Sequence, residues 1–250
     1  MISAIKWEMK KSMRIGVIIL WLILLVSSYK FGDNSMVVND MYASLFQRHY
    51  KLVPFYIFIM FTMLSGGFTI EYNSNMQGLI KSSKGGKDQF VLSKFIANGI
   101  CLSIINVSIL AAMVLRVVSI FGFKGLDLQL KDLWNFSSIT NNITVLQMLL
   151  ILSITLILGS FLVAAIGLYL SAINKKATIP FIVGSILVGL PIIETVPEVI
   201  RFNSPLYGMY SQQLIMSRGP ISSLVVFIVM VLVGSTVLYK LTKKSFLKEL

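Results

Sequence analysis

Residues 143–173 read ITVLQMLLILSITLILGSFLVAAIGLYLSAI, 31 consecutive positions without a charged side chain. As an α-helix such a run is about 46 Å long at 1.5 Å per residue, and the hydrocarbon core of a bilayer is only about 30 Å thick. A helix apolar on every face is buried in a large core or spans a membrane. The run predicts a membrane span that must tilt, break or protrude. Splitting it into two spans requires a turn, and no proline lies inside it.

Apolar runs recur outward from this one, at Ile15–Tyr29, Leu52–Ile70, Phe95–Leu115, Ala177–Ile193 and Ile221–Tyr239. The first has only 15 uncharged residues, but Arg14 and Lys30 at its ends can snorkel to the headgroups. Lys175-Lys176 marks a tight turn between the fourth and fifth runs. Over the 250 residues, 56% are hydrophobic and 13% charged, against about 25% charged in ordinary soluble domains; the mean hydropathy is +0.84. The fold class expected is all-α: a single polytopic membrane domain over 1–250 with six transmembrane helices. Residues 71–94 form a long polar connection, 24 residues, between the second and third spans.

The formal charge of +12 is distributed as topology demands, not as a nucleic-acid surface, because the basic residues cluster between apolar runs. Lys6, Lys10, Lys11 and Arg14 precede the first span. Lys81, Lys84, Lys87 and Lys94 fall in the 71–94 connection, Lys175 and Lys176 between the fourth and fifth spans, and Lys240, Lys243, Lys244 and Lys248 in the tail, fourteen in all. The other side holds eight, diluted by acids such as Asp33, Asp127 and Glu194. Both termini are therefore expected in the cytoplasm of a cell membrane. Ile2, Ile5, Met9 and Met13 recur at helical spacing opposite Lys6, Lys10 and Arg14, which predicts an amphipathic helix over 1–14 lying in the inner interface.

Catalytic constellations are nearly absent. His49 is the only histidine and reads as a solvated or interfacial residue of the first external loop; no metal-binding motif occurs, and Cys101 is the only cysteine. The segment Lys81-Ser82-Ser83-Lys84-Gly85-Gly86-Lys87-Asp88 ends in Gly-Gly-Lys, but a phosphate loop needs glycine where Lys81 stands and Ser or Thr where Asp88 stands. No metal or cofactor is expected on this chain. Polar and small residues inside the spans are the remaining candidates. Asn98 and Asn106 lie two turns apart and either line a cavity or bond to neighbouring helices. Phe55, Phe58 and Thr62 either form a greasy path for an amphipathic substrate or face lipid. Ser160, Ala164, Gly167 and Ser171, with Thr62/Gly66 and Ser185/Gly189, form small-residue stripes suited to close helix packing.

The stretch Phe68-Thr69-Ile70-Glu71, then Gln77-Gly78-Leu79-Ile80-Lys81-Ser82-Ser83-Lys84-Gly85-Gly86-Lys87, then Leu92-Ser93-Lys94, resembles the permease subunits of ABC-2 type ABC transporters. The amphipathic start resembles that family's interfacial connector helix, and Phe202-Asn203-Ser204-Pro205 its external proline-containing segment. One departure is that the usual Ser-Pro reads Ser83-Lys84, followed by Gly85-Gly86. The resemblance implies a cytoplasmic coupling segment at 71–94, with Glu71, Gly78, Leu79, Ile80, Lys81, Lys84 and Lys87 facing a separate ATPase subunit that binds ATP and Mg. It implies a second permease copy or a related chain as partner. The small size resembles exporters of amphipathic peptides, including bacteriocin-immunity and phenol-soluble-modulin permeases. The alternatives are a membrane protein that sequesters peptide without transport, as in immunity or sensing, and an intramembrane enzyme.

Cysteine replacements at Asn34 and Asp127 are expected to react with an impermeant thiol reagent from outside the cell, and those at Ser83 and Ser245 only after permeabilisation. Labelling of the Ser83 replacement from outside overturns the orientation.

Overall fold

Thr144 ends a loop and starts the most apolar of the four long helices. Its backbone N–H donates to the Gln147 side-chain oxygen at 3.0 Å, and its hydroxyl accepts from the Gln147 N–H at 3.3 Å. This capping box satisfies amide groups that a helix start otherwise leaves unpaired. The structure, a computed structural model, describes residues 1–30, 37–82, 86–137, 142–193, 196–197, 201, 204–210 and 220–248. Its helices are α1 (Ile2–Ser12), α2 (Ile15–Lys30), α3 (Val38–Lys51), α4 (Val53–Leu64), α5 (Thr69–Asn73), α6 (Gln77–Ser82), α7 (Gly86–Phe121), α8 (Val145–Ile173), α9 (Thr178–Gly189), α10 (Pro205–Met209) and α11 (Pro220–Lys248). Among the described residues the only β pairing is one isolated bridge, Gln129 to Thr144.

The stretches Val53–Asn73, Asp88–Phe121, Val145–Ile173 and Leu224–Phe246 are long and apolar enough to cross a membrane. The pair α1 and α2, bent by 73°, makes a fifth if taken together. The expected fifth run, 177–193, contains only the 12-residue α9 and a 3₁₀ turn at Leu190–Ile192. At 1.5 Å per residue α9 is about 18 Å long, so by its own length it falls short of a span. The expected second span is present as Val53–Asn73, with its α-helical hydrogen bonding interrupted at Ser65-Gly66-Gly67-Phe68 between α4 and α5.

The central α8 does not break over its 29 residues. It packs against α7 and α11 most extensively, with α4, α9 and α10 completing its surround. Its small residues bring these neighbours in. A Cβ at Gly167 would lie 2.6 Å from Leu64, and one at Gly159 would lie 2.5 Å from Met209. Ser160, Ala164 and Ser171 are fully buried. In helices apolar enough to cross a membrane, close backbones and interhelical hydrogen bonds supply the specific contacts between neighbours. The structure supplies them: Trp21 Nε1 to Ser108 Oγ at 2.9 Å, Asn106 Nδ2 to Ser160 Oγ at 2.9 Å, and Thr155 Oγ1 to the Met209 carbonyl at 3.1 Å.

The bundle has two distinct ends. At the basal end α1, the 71–94 connection and the last turns of α11 meet. At the far end α3 and two 3₁₀ turns, Leu130–Asp132 and Trp134–Phe136, form a cap. Phe46 packs edge-on to Phe136 at 5.4 Å between centroids, and Asn135 donates to the Ala43 carbonyl at 3.0 Å. This cap corrects the reading of His49 as a solvated residue. His49 is fully buried, its ring 5.4 Å from Tyr56 and 5.7 Å from Tyr210. It lies on the face of an amphipathic helix whose Met41, Tyr42, Leu45 and Phe46 turn inward with it.

Burial holds the His49 imidazole down at about 3, because the charged form loses its water. In the unfolded chain it titrates near 6.5. Neutral His49 thus contributes stability that is fully present above pH ~6.5 and is lost as pH falls from there towards about 3. The slope approaches about 1.4 kcal/mol per pH unit. Thermal unfolding in mild detergent between pH 7.5 and 4.5 is expected to show this loss, and His49→Gln to flatten it; equal slopes in both proteins contradict the burial.

Candidate functional site

The polar connection between α4 and α7 is anchored by charges that have left water. Lys94, on the inner face of α7, is 1% exposed. Its ammonium donates to Glu8 Oε2 of α1 at 2.8 Å and to the Gly67 carbonyl at 2.8 Å, and lies 3.0 Å from Glu71 Oε1 of α5. Lys11 of α1 donates to the same Glu71 oxygen. The four charges sum to zero. The Phe90 ring stands 4.9 Å and the Phe68 ring 5.4 Å from the Lys94 nitrogen, adding cation–π contact on the side the carboxylates leave open.

Local sequence explains how each group arrives. Gly66 and Gly67 let α4 stop and turn, so that the Gly67 carbonyl faces inward instead of bonding along a helix. Gly66 also lies under the Arg14 guanidinium, 2.8 Å from where a Cβ would stand. On α1, Glu8 and Ser12 are one turn apart. Glu8 takes Lys94, and Ser12 donates to Asn98 Oδ1 at 2.9 Å. Asn98 in turn donates to the Lys94 carbonyl at 2.8 Å. One face of α1 is thus zipped to one face of α7, while Ile2 and Trp7 stay exposed.

On the other flank the connection is held by aromatic packing. Phe68, Tyr72, Phe90 and Phe246 form a contiguous ring cluster with centroid separations of 5.0 to 6.4 Å. Tyr72 donates its hydroxyl to the Ala172 carbonyl, and the Phe68 N–H donates to Ser171 Oγ at 3.0 Å. Lys243 of α11 reaches Asp88 at 2.6 Å. The first helix, the 71–94 connection and the end of the last helix therefore form one junction.

The candidate residues separate on this frame. Glu71 is buried inside the cluster, not on an outer surface. Leu79 and Ile80 part company: Leu79 is 69% exposed, whereas Ile80 packs against the aromatic cluster. Gly78 is exposed; the side chains of Lys81 and Lys87, and the whole of Lys84, lie outside the described residues. Asn98 and Asn106 are buried in interhelical hydrogen bonds. Thr62 donates to the Phe58 carbonyl within its own helix, and Phe55 and Phe58 are half exposed on the outer side of α4. Gly189 has no close neighbour, with only Ile57 at 3.8 Å from its Cβ position. In the sequence Lys11 and Lys94 mark topology, and Lys94 also closes the stretch that carries the resemblance, but nothing there pairs them with Glu8 or Glu71. Glu8 is the sole acid before Asp33 and Glu71 the sole acid between Asp40 and Asp88; each is a lone carboxylate at the edge of an apolar run, which is the signal available. Among the described residues no group of His, Cys, Asp and Glu is placed to hold a metal.

No protein-family description matches the chain, and no curated protein matches it.

Removing one partner from a buried ion pair leaves an uncompensated charge and costs about 3–5 kcal/mol. Lys94→Met is expected to destabilise on that scale, and Lys11→Met by less, because Lys11 is partly exposed. Adding Glu8→Gln to Lys94→Met is expected to recover part of the loss. Thermal unfolding of the purified variants measures this, and independent, additive losses contradict a coupled cluster.

Proposed function

We propose that the chain is the membrane-spanning permease subunit of an ATP-driven exporter of the ABC-2 type, with six spans and both ends in the cytoplasm. A separate ATPase subunit binds ATP and Mg, and a second permease copy or related chain completes the pathway. The substrates are amphipathic peptides moved out of the cell or out of its membrane.

The observation that carries this reading is the exposed Leu79 on α6, a short helix held over the ion-paired junction. A large apolar side chain in a polar loop that crosses no membrane is a contact in search of a partner, and a few such anchors dominate most interfaces. Below it, Ile80 and Tyr72 tie α6 and α5 to the aromatic cluster, and Glu71 ties α5 to α1 and α7. Force applied to Leu79 has a short and stiff route into three transmembrane elements. A rigid coupling element of that kind lets ATPase closure switch the membrane half between access states.

Within this reading α1 lies in the inner interface. Its ion-paired face and Met9 meet the bundle, Lys6 and Lys10 face water, and Ile2 and Ile5 meet lipid.

Leu79→Asp is expected to leave the protein inserted and helical, while weakening pull-down of the ATPase more than about 30-fold, as for loss of an anchor worth at least 2 kcal/mol. Peptide-stimulated ATP hydrolysis in reconstituted membranes is expected to disappear with it. Unchanged binding and turnover would remove this segment as the coupling element.

A further inference from the structure

Pro54, at the far end of α4, stands between two apolar grooves of nearly equal size. One, of about 470 Å³, runs between α2 and α4 over Leu20, Leu24 and Ile59, with Ile23, Phe55 and Phe58 at its rim. The other, of about 460 Å³, runs between α4 and α9 over Ile57, bounded by Ile186, Gly189 and Ile193. Both fall within the 300–1,000 Å³ range of small-molecule sites. Both open on the outer face of the bundle, where Ile23, Phe55 and Ile186 are half exposed or more.

The chemistry changes at the far-end mouths. Lys51 is one turn before Pro54, and Lys30 ends α2 six residues beyond Leu24, a rise of about 9 Å. Both lysines are exposed. From depth to surface the site presents two apolar grooves and then, at the far end, two exposed cations. That is the order of acyl chain and phosphate in a phospholipid.

We infer that an anionic diacyl phospholipid sits astride Pro54, with one acyl chain in each groove and its phosphate between Lys30 and Lys51. Two matched grooves sharing one wall fit two chains joined at a glycerol. A single-chain amphiphile fills only one of them, and a headgroup without net negative charge leaves the lysine pair uncompensated. Proline suits the shared wall because its ring is short and it has no backbone N–H to leave unsatisfied beneath the chains. The bound lipid would seal the seams between α4 and both neighbours. Only embedding of the chain in a membrane is required, not transport, so loss of lipid binding and loss of ATPase binding are separate outcomes.

The test is native mass spectrometry of the intact chain in mild detergent, titrated with phosphatidylglycerol, phosphatidylcholine and lysophosphatidylglycerol. Diacyl phosphatidylglycerol is expected to bind at least tenfold tighter than either of the others. Lys30→Gln and Lys51→Gln are each expected to weaken it about fivefold, the worth of one basic residue near an anionic surface. Gly189→Leu fills one groove from a position with open space, and is expected to abolish the preference for two chains while leaving thermal stability unchanged. Equal binding of the diacyl and single-chain lipids overturns the inference. So does an unchanged titration in Gly189→Leu, or displacement of phosphatidylglycerol by amphipathic peptide but not by other anionic lipid.

Discussion

An ammonium group out of contact with water must find opposite charge or lose its own, and Lys94 is that group in this protein. Its position is overdetermined by Glu8, Glu71, the Gly67 carbonyl and two aromatic faces. These partners lie on α1, α5, the turn before α5, and α7. Replacing such a cluster wholesale with well-packed apolar residues is often neutral or stabilising, whereas removing one member is costly. Its contribution is therefore register more than strength. Only one placement of α1 along α7 satisfies Glu8 with Lys94 and Ser12 with Asn98 together. A purely apolar contact tolerates sliding, and this one does not.

The same logic governs the rest of the bundle at lower intensity. The Trp21 indole on α2 and buried hydroxyl and amide groups on α7 and α8 choose partners on neighbouring helices, and glycines on α8 and α9 let the backbones close. Gly184 is the tightest of these, with Phe61 only 2.1 Å from the place a Cβ would occupy. Gly189, one and a half turns later, touches almost nothing. α9 is therefore clamped to α4 at its middle and splayed at its far end. That splaying is what opens the groove beside Ile57.

Hydropathy made the apolar helices legible, because a run such as 143–173 has no polar face to turn towards water. It did not reveal where they end. The 95–115 run gave no sign that α7 begins at Gly86 and continues to Phe121, since a helix may leave the apolar layer without changing its backbone. Nor did it show the break at Ser65–Phe68, although Gly66-Gly67 was a visible cue. The α3 helix was passed over as loop because Asn39, Asp40, Gln47 and Arg48 dilute its hydropathy; its inward face, with Met41, Tyr42, Leu45, Phe46 and His49, follows helical spacing all the same. At the junction the sequence marks Leu79 and Ile80 as equivalent neighbours. Which one turns outward depends on the preceding turn, where Asn75 adopts a positive φ of 50°. The ion cluster was illegible for a different reason: its members are far apart in the chain, and no local pattern pairs Glu8 with Lys94.

That separation bears on how the protein is made. Glu8 and Lys94 are 86 residues apart, and synthesis at about 5–20 residues per second puts roughly 4–17 s between their appearances. During that interval the Glu8 carboxylate has no buried partner, and its face of α1 must stay in contact with water. It can settle only after α2 and α4 are in place and the start of α7 has arrived. α1, made before its partners, is thus seated only after them. Docking of α1 closes the amino-terminal half of the bundle, so that an early fault in α2, α4 or α7 leaves Glu8 exposed and the amino terminus loose.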